Sequence, residues 1–572
     1  MTYSLVIKNG LIVDGTGRPS FQGDVGIQGD TITAVGRVSD CNGAVVVDAR
    51  GKAVSPGFIE IHTHYDPQLC WDRTASPAGE HGVTTVIVGN CGLSLAPIKA
   101  GFGARVTKMF NKIEDLDPKF FDAAVPYSWE SFPQYLEYLR PGLGVNVASV
   151  VGHSVLRHFV MGEAAQQRHA TDKEITEMCA LLRAAIEAGA FGLSISYEHL
   201  TDESDRPMAS SFADVRERIA LARTLVEAGR LYLQATLVSD NFARKLQEYD
   251  ELGLISKESG ACCSALALMD LPQTPLQYEK ELDKLTEIHG TGARLYAQTM
   301  TRPLDFTFQL TKAASILYNA PTWSGIMIRP VAERKRLLSD HKIWPDLHDG
   351  VTVATSGLGI GHFGVKRVRN PANARYEGRL LSDIGGAEGI TPTEAMLRIA
   401  VVDDFETVFD CTGTIHSDVD VVARLLDHPL VQMGGSDAGA HVAQFAGEGD
   451  ATFMLRHFVH DHRKFTLERA VQRMTGDLAR DFGIARRGTV LPGQFADLVV
   501  FDPESVERGA EVVAKDMPGG GERMVRGAKG IDKVVVNGEV FCRSGRLYQC
   551  PRGTDCVTAR CAFARPRNRR NR

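Results

Sequence analysis

Pro56-Gly57-Phe58-Ile59-Glu60-Ile61-His62-Thr63-His64 is an apolar, strand-like stretch that runs out into two imidazoles. Side chains two residues apart on an extended chain share a face, so both rings point the same way. At the C-terminal mouth of a barrel strand this geometry delivers two nitrogen ligands to one metal ion, with Asp66 close behind. The bland alternative, a pair of ordinary loop histidines, does not account for the Pro-Gly-apolar strand in front of them.

Outward from this stretch, buried strand-like runs alternate with helical ones. The strands include Thr84–Val88, Val145–Val151, Gly192–Ile195, Leu231–Ala235 and Leu430–Gly435; the helices include Asp172–Ala188, Ala213–Ala228 and Leu467–Phe482. Such alternation builds βα units around a parallel sheet. It predicts an α/β fold, a (β/α)8 TIM-like barrel over residues 56–485. That span exceeds the ~250 residues typical of the fold, which implies long insertions, the clearest being Lys99–Pro141. Residues 3–55 read instead as short strands with Gly and Asp turns, and the same texture returns at Ala496–Asp502 and Ile531–Val540. Residues 1–55 and 486–548 are therefore expected to complete one small β-sandwich domain from both ends of the chain. The basic tail, 549–572, reads as disordered.

Composition narrows the function. A 572-residue chain with 44% hydrophobic residues buries a large core, and 64 basic against 70 acidic side chains give a net charge of −6. That balance provides no electrostatic footprint for nucleic acid or an anionic membrane. No apolar run is long enough to span a bilayer, and Met1–Gly10 lacks the pattern of a signal peptide. The expectation is a cytoplasmic protein acting on a small molecule, with homo-oligomerisation left open. Eleven scattered cysteines fit reduced thiols; Cys542, Cys550, Cys556 and Cys561 cluster near the end without a zinc spacing.

Two further stretches carry chemistry. Glu80–Gly92 is a strand that runs out at Asn90-Cys91-Gly92, and a thiolate beside two histidines is a metal ligand or bridge, the alternative being a buried free thiol. Met433–His441 is a strand ending in Asp437, with His441 four residues on. A carboxylate at a metal site takes a proton from attacking water and passes it to a leaving amine; the alternative is a turn cap.

These stretches together resemble the amidohydrolase superfamily, and within it the D-aminoacylase (N-acyl-D-amino-acid deacylase) branch. The likeness also covers Val151–Arg157, Asn90–Pro97 and Arg487–Pro503. It implies a hydrolase of non-peptide C–N bonds that uses one or two zinc or other divalent ions. His62, His64 and Cys91 would be metal ligands, and Asp437 both a ligand and the general acid/base acting on a metal-activated water. His153, Glu198 (beside His199) and His441 would support the site or face the substrate. The sequence departs from the branch in two places. The branch carries two further histidine ligands at the ends of middle strands, where this chain has Leu231–Thr236 and Gly260–Leu266, with Gln234, Cys262 and Cys263 as the nearest substitutes. The branch also grips a substrate carboxylate with a basic residue after the catalytic aspartate, whereas Ala438–Gly449 contains no arginine. Alternatives are therefore a cyclic amide, an ester or another carbonyl substrate, or an inactive barrel that binds a small ligand.

Overall fold

The computed structural model describes residues 2–547 apart from 40, 115, 117, 198–205, 239–240, 272, 313, 315–316, 318–320, 348–351, 354–357 and 544–545. Glu198, His199 and the basic tail lie outside the described residues. No helix among the described residues is long and apolar enough to cross a membrane.

Eight strands lie side by side in chain order: β1 (Phe58–Glu60), β2 (Val83–Val88), β3 (Asn146–Gly152), β4 (Gly192–Ser196), β5 (Tyr232–Thr236), β6 (Cys262–Leu266), β7 (Arg294–Thr299) and β8 (Val431–Met433). All neighbouring pairs in this sheet are parallel. Strands covered on both faces are expected to be continuously apolar and β-branched; Val-Thr-Thr-Val-Ile-Val in β2 is buried at every position. The ring closes just beyond β1 and β8, where Thr63 bridges Ala438 in parallel and the His64 amide donates to the Ala438 carbonyl at 2.7 Å. Glycine permits this approach, since a Cβ on Gly434 would lie 2.1 Å from the Ile61 side chain. The result is a TIM-like barrel.

The predicted helix Asp172–Ala188 forms as read, opened by a Thr171/Glu174 capping box and closed at Gly189. Leu467–Phe482 instead divides into Leu467–Met474 and Gly476–Phe482, with Thr475 outside helical geometry (φ −138°, ψ −79°). At the break the chain passes against the Gly15 carbonyl, 2.2 Å from where a Gly476 Cβ would sit. The second piece sends Leu478 and Phe482 into the N-terminal end of the barrel, onto Ile59, Ile61, Phe191, Tyr232 and Cys262. That end is plugged, and only the C-terminal mouth can host a site.

Lys99–Pro141 is an insertion as expected, built of three helices, Gly103–Glu114, Pro118–Ala124 and Phe132–Leu139. The larger excursion, however, runs from 300 to 430, between β7 and β8. It has its own core around Phe308, Trp323, Phe363 and Phe409, and a sheet of Phe306–Phe308, Val408–Cys411 and Gly364–Arg367. Its helices carry the same periodicity as barrel helices, so the pattern alone did not separate them. Strands from both ends of the chain share a second sheet, in which Leu498–Phe501 pairs with Ala53–Pro56, and Ala53–Pro56 with Leu5–Ile12. This forms a separate sheet domain that leads directly into β1.

Candidate metal centre

β1 ends at Glu60, and a bend at Ile61–His62 turns both Ile61 and His62 inward. Thr63 is then held by the bridge to Ala438, which sets His62 and His64 on one side. Beyond β2 the chain turns through Gly89, Cys91 and Gly92, all at positive φ (89°, 58° and 72°). Asp437 and His441, beyond β8, also adopt positive φ (56° and 51°). Non-glycine residues rarely take this conformation, which costs on the order of 1 kcal/mol each and gathers where function demands it.

These turns converge. Cys91 Sγ lies 3.3 Å from His62 Nε2 and 3.7 Å from His64 Nε2. Asp437 Oδ1 lies 3.5 Å from His62 Nε2 and 3.3 Å from His64 Nε2. Among the described residues, His62, His64 and Cys91 form the group of three whose ligand atoms all fall within 4.8 Å of one another. Asp437 Oδ1 is buried without a hydrogen-bond partner, although the side chain as a whole is 26% exposed. Two imidazoles, a thiol and a carboxylate crowd together here, the donor set of a divalent cation once His64 and Cys91 give up their protons.

His62 and Cys91 are hydrogen-bonded from behind. His62 Nδ1 meets Gln298 Oε1 at 2.9 Å, and the Cys91 amide donates to Gln234 Oε1 at 2.9 Å. His64 Nδ1 is 3.4 Å from Glu114 Oε1. Glu114, at the end of Gly103–Glu114, is buried, and its carbonyl accepts from the His441 amide at 2.7 Å. His441 Nε2 stands 3.8 Å from Glu114 Oε2 and 3.9 Å from Asp437 Oδ2.

Electrostatics follow the geometry. Burial lowers His62 to about 4, keeping it neutral. Burial would lower His64 too, but Glu114, Cys91 and Asp437 outweigh it and hold the imidazole well above its ordinary value. Burial would raise Asp437, yet the imidazoles of His64, His62 and His441 keep its carboxyl below the usual range. Burial pushes the Cys91 thiol up, against the pull of His64.

His62, His64, Cys91, Asp437 and His441 are thus brought together. His153 is not among them. Its Nδ1 faces Ser210 Oγ at 3.0 Å and its Nε2 faces Glu217 Oε1 at 2.8 Å, so neither nitrogen is left for a ligand. Gln234 reaches the Cys91 backbone, while Cys262 joins the cluster at the plugged end and Cys263 the outer core. Sequence reasoning did not single out Glu114 or Gln298. Glu114 ends an insertion helix, and Gln298 is a fully buried amide near the end of β7, between Ala297 and Thr299.

A TIM-like barrel with paired histidines, a cysteine and an aspartate at its mouth defines a metal-dependent hydrolase. The chain belongs to the amidohydrolase family, whose model (Amidohydro_3) matches residues 45–541. It is 30% identical to a D-aminoacylase of Alcaligenes xylosoxydans xylosoxydans over 541 residues, 94% of each chain. It is also 30% identical to an uncharacterized protein of Mycobacterium tuberculosis over 582 residues, 96% of this chain and 93% of the relative. Among solved structures it resembles an N-acyl-D-glutamate deacylase of Bordetella bronchiseptica complexed with zinc and a phosphonate mimic of the tetrahedral intermediate. That match has 26% identity and a TM-score of 0.63, and covers 96% of this chain and 99% of the other. A D-aminoacylase described as having a binuclear metal centre matches with 26% identity and a TM-score of 0.63, over 95% and 98% of the two chains. The protein is a hydrolase of the D-aminoacylase branch, acting on carbon–nitrogen bonds other than peptide bonds and using a divalent metal.

Proposed function

We propose that the protein hydrolyses the amide of an N-acylated D-amino acid or a close analogue, using one divalent ion, zinc foremost, held by His62, His64, Cys91 and Asp437. In this reading residues 56–485 are the catalytic unit, and 1–55 with 486–548 the sheet domain that frames it. The observation that carries the reading is the convergence of four donor groups around a buried, unpartnered Asp437 Oδ1. A bound ion supplies Lewis-acid polarisation of the scissile carbonyl and a more acidic water. Asp437, kept ionised by the flanking imidazoles, accepts a proton from the attacking water and returns it to the departing nitrogen. His441, beside Asp437 Oδ2, faces the substrate. A count of one ion is favoured because β5 and β6 bring no histidine, and their polar residues Gln234 and Ser264 are committed to internal hydrogen bonds.

A second substrate reading has its own support. Ala438–Gly449 offers no arginine for a substrate carboxylate, which favours a cyclic amide or ester without one. Elemental analysis of the purified protein should find about one zinc per chain. A panel of N-acyl-D-amino acids, lactams, imides and esters separates the substrate classes; turnover by a metal-free protein would refute the mechanism.

A further inference from the structure

Behind His62 a chain of buried polar side chains runs through the barrel. His62 Nδ1 meets Gln298 Oε1 at 2.9 Å, and Gln298 Nε2 donates to Ser264 Oγ at 2.9 Å and toward the Tyr232 hydroxyl at 3.5 Å. The Ser264 hydroxyl donates to Gln432 Oε1 at 2.7 Å, and Gln432 Nε2 reaches Asp481 Oδ2 at 3.5 Å. His62, Gln298, Ser264 and Gln432 are all fully or almost fully buried, so the chain is shielded from bulk solvent.

The direction of these bonds is set at the far end. A carboxylate paired with a guanidinium, as Asp481 Oδ1 is with Arg480 at 3.0 Å, only accepts, so Gln432 turns its amide nitrogen to Asp481 and its oxygen to Ser264. Ser264 then spends its proton on Gln432 and can only accept from Gln298, which forces the Gln298 oxygen toward His62. Tyr232 agrees, because its hydroxyl donates to the Ile61 carbonyl at 3.2 Å and so accepts from Gln298. An oxygen at His62 Nδ1 requires a proton there and leaves the lone pair on Nε2, the nitrogen that faces Cys91 and Asp437.

We propose that Gln298, Ser264, Gln432 and Asp481 are positioning residues that fix His62 as the Nδ1-protonated tautomer, presenting a bare Nε2 to the metal site from the plugged end of the barrel. The use of that nitrogen as a ligand rests on the metal reading above, but the tautomer does not. A partner behind a ligating histidine is generally worth 10- to 100-fold in metal affinity. The relay occupies β6, β7 and β8 with a hydroxyl and two amides whose hydrogen bonds are internal.

Long-range ¹H–¹⁵N correlation on the metal-free, histidine-labelled full chain, with the resonance assigned by its loss in His62→Ala, reads the tautomer directly. Wild type should carry the His62 proton on Nδ1 alone. Gln298→Leu should populate the Nε2-protonated form and weaken zinc binding about 10- to 100-fold in competition with a chromophoric chelator. Gln298→Glu keeps the acceptor and should retain the wild-type tautomer. Asp481→Asn, remote from the cluster and insurance against misfolding of Gln298→Leu, should yield a mixture of tautomers. A wild-type proton on Nε2 overturns the proposal, as does an unchanged tautomer in both Gln298→Leu and Asp481→Asn. If wild type takes up no zinc but its tautomer responds as stated, the metal reading fails and the relay stands.

Discussion

Two histidine clusters sit at the C-terminal ends of barrel strands, and they differ in what they leave unpaired. Beyond β3, His153 is enclosed: Ser210 lies on one nitrogen, Glu217 on the other, and Arg157 pairs with Glu217. Serine, histidine and glutamate in a row suggest a nucleophilic triad, but the Ser210 oxygen already accepts from the Ser196 amide at 2.9 Å, and the serine, histidine and glutamate are all fully buried. Beyond β1, β2 and β8 the donors turn toward one another, Asp437 Oδ1 lying 3.3 Å from His64 Nε2 and 3.5 Å from His62 Nε2. Similar residue types at the same end of the barrel therefore perform opposite tasks. A network in which histidine, serine and carboxylate are paired with one another holds the fold, whereas donors that converge on one point call for a ligand.

The sharpest way to break this contrast is to neutralise the carboxylate in each cluster. Asp437→Asn should lower kcat/KM by at least about 10³-fold, ~4 kcal/mol of transition-state stabilisation. Steady-state kinetics normalised to folded protein checks this; an active Asp437→Asn enzyme removes the residue from the chemistry.

Glu217→Gln should do the reverse. Burial would raise the Glu217 carboxyl, but His153 and Arg157 hold it at about 2, below the ordinary 4.5. A depressed folded-state value means that the carboxylate contributes stability above pH 4.5 and loses it as pH falls toward 2. Removing its charge also leaves Arg157 buried without compensation, a loss of about 3–5 kcal/mol at neutral pH. Denaturant melts at pH 7 should reveal that loss, with activity per folded molecule unchanged; an unaltered melt would mean that His153 belongs to no bracing network.

Much of this contrast was legible in the sequence and part of it was not. His62 and His64 stand out because a strand delivers them with a period of two, and Cys91 and Asp437 because each follows an apolar run into glycine. Those signals are local. His153 follows a strand in the same manner, and nothing nearby in the chain announces that Glu217, 64 residues away, occupies its second nitrogen. Glu114 and Gln298 were hidden for the same reason, since their roles depend on partners 50 and 236 residues distant. The barrel was readable from alternation, but the 300–430 excursion was not, because its helices bury a second core with the same period.

Glu60 tests whether an unpaired buried atom is enough to mark a site. Ile59 and Ile61 join the interior cluster, so Glu60 between them faces outward, with Oε2 buried and unpartnered. Burial, then Asp450 and Glu448, raise its carboxyl to about 8. The folded chain therefore keeps the proton while the unfolded chain ionises above about pH 4.5, so stability declines from there up to pH 8. Glu60→Gln should match wild type below pH 4.5 and exceed it increasingly above, by up to about 3 kcal/mol at pH 7, with activity retained. Denaturant melts across that range check the sign. A loss of activity without a gain in stability would tie this carboxyl to the metal centre and weaken convergence as the criterion.

The smallest effect should come from the contact joining the Lys99–Pro141 insertion to the centre. Glu114 approaches His64 Nδ1 with one oxygen and His441 Nε2 with the other, and accepts the His441 amide on its carbonyl. Glu114→Gln keeps the size, the backbone bond and an acceptor oxygen, and removes only the charge behind His64. Carboxylates in that position raise the basicity of a ligating imidazole, so zinc affinity should drop about tenfold, ~1.4 kcal/mol. Chelator competition measures this without any substrate. An affinity equal to wild type would leave Glu114 as a fastener between insertion and barrel, and would assign the orientation of the pair to Gln298 on the His62 side alone.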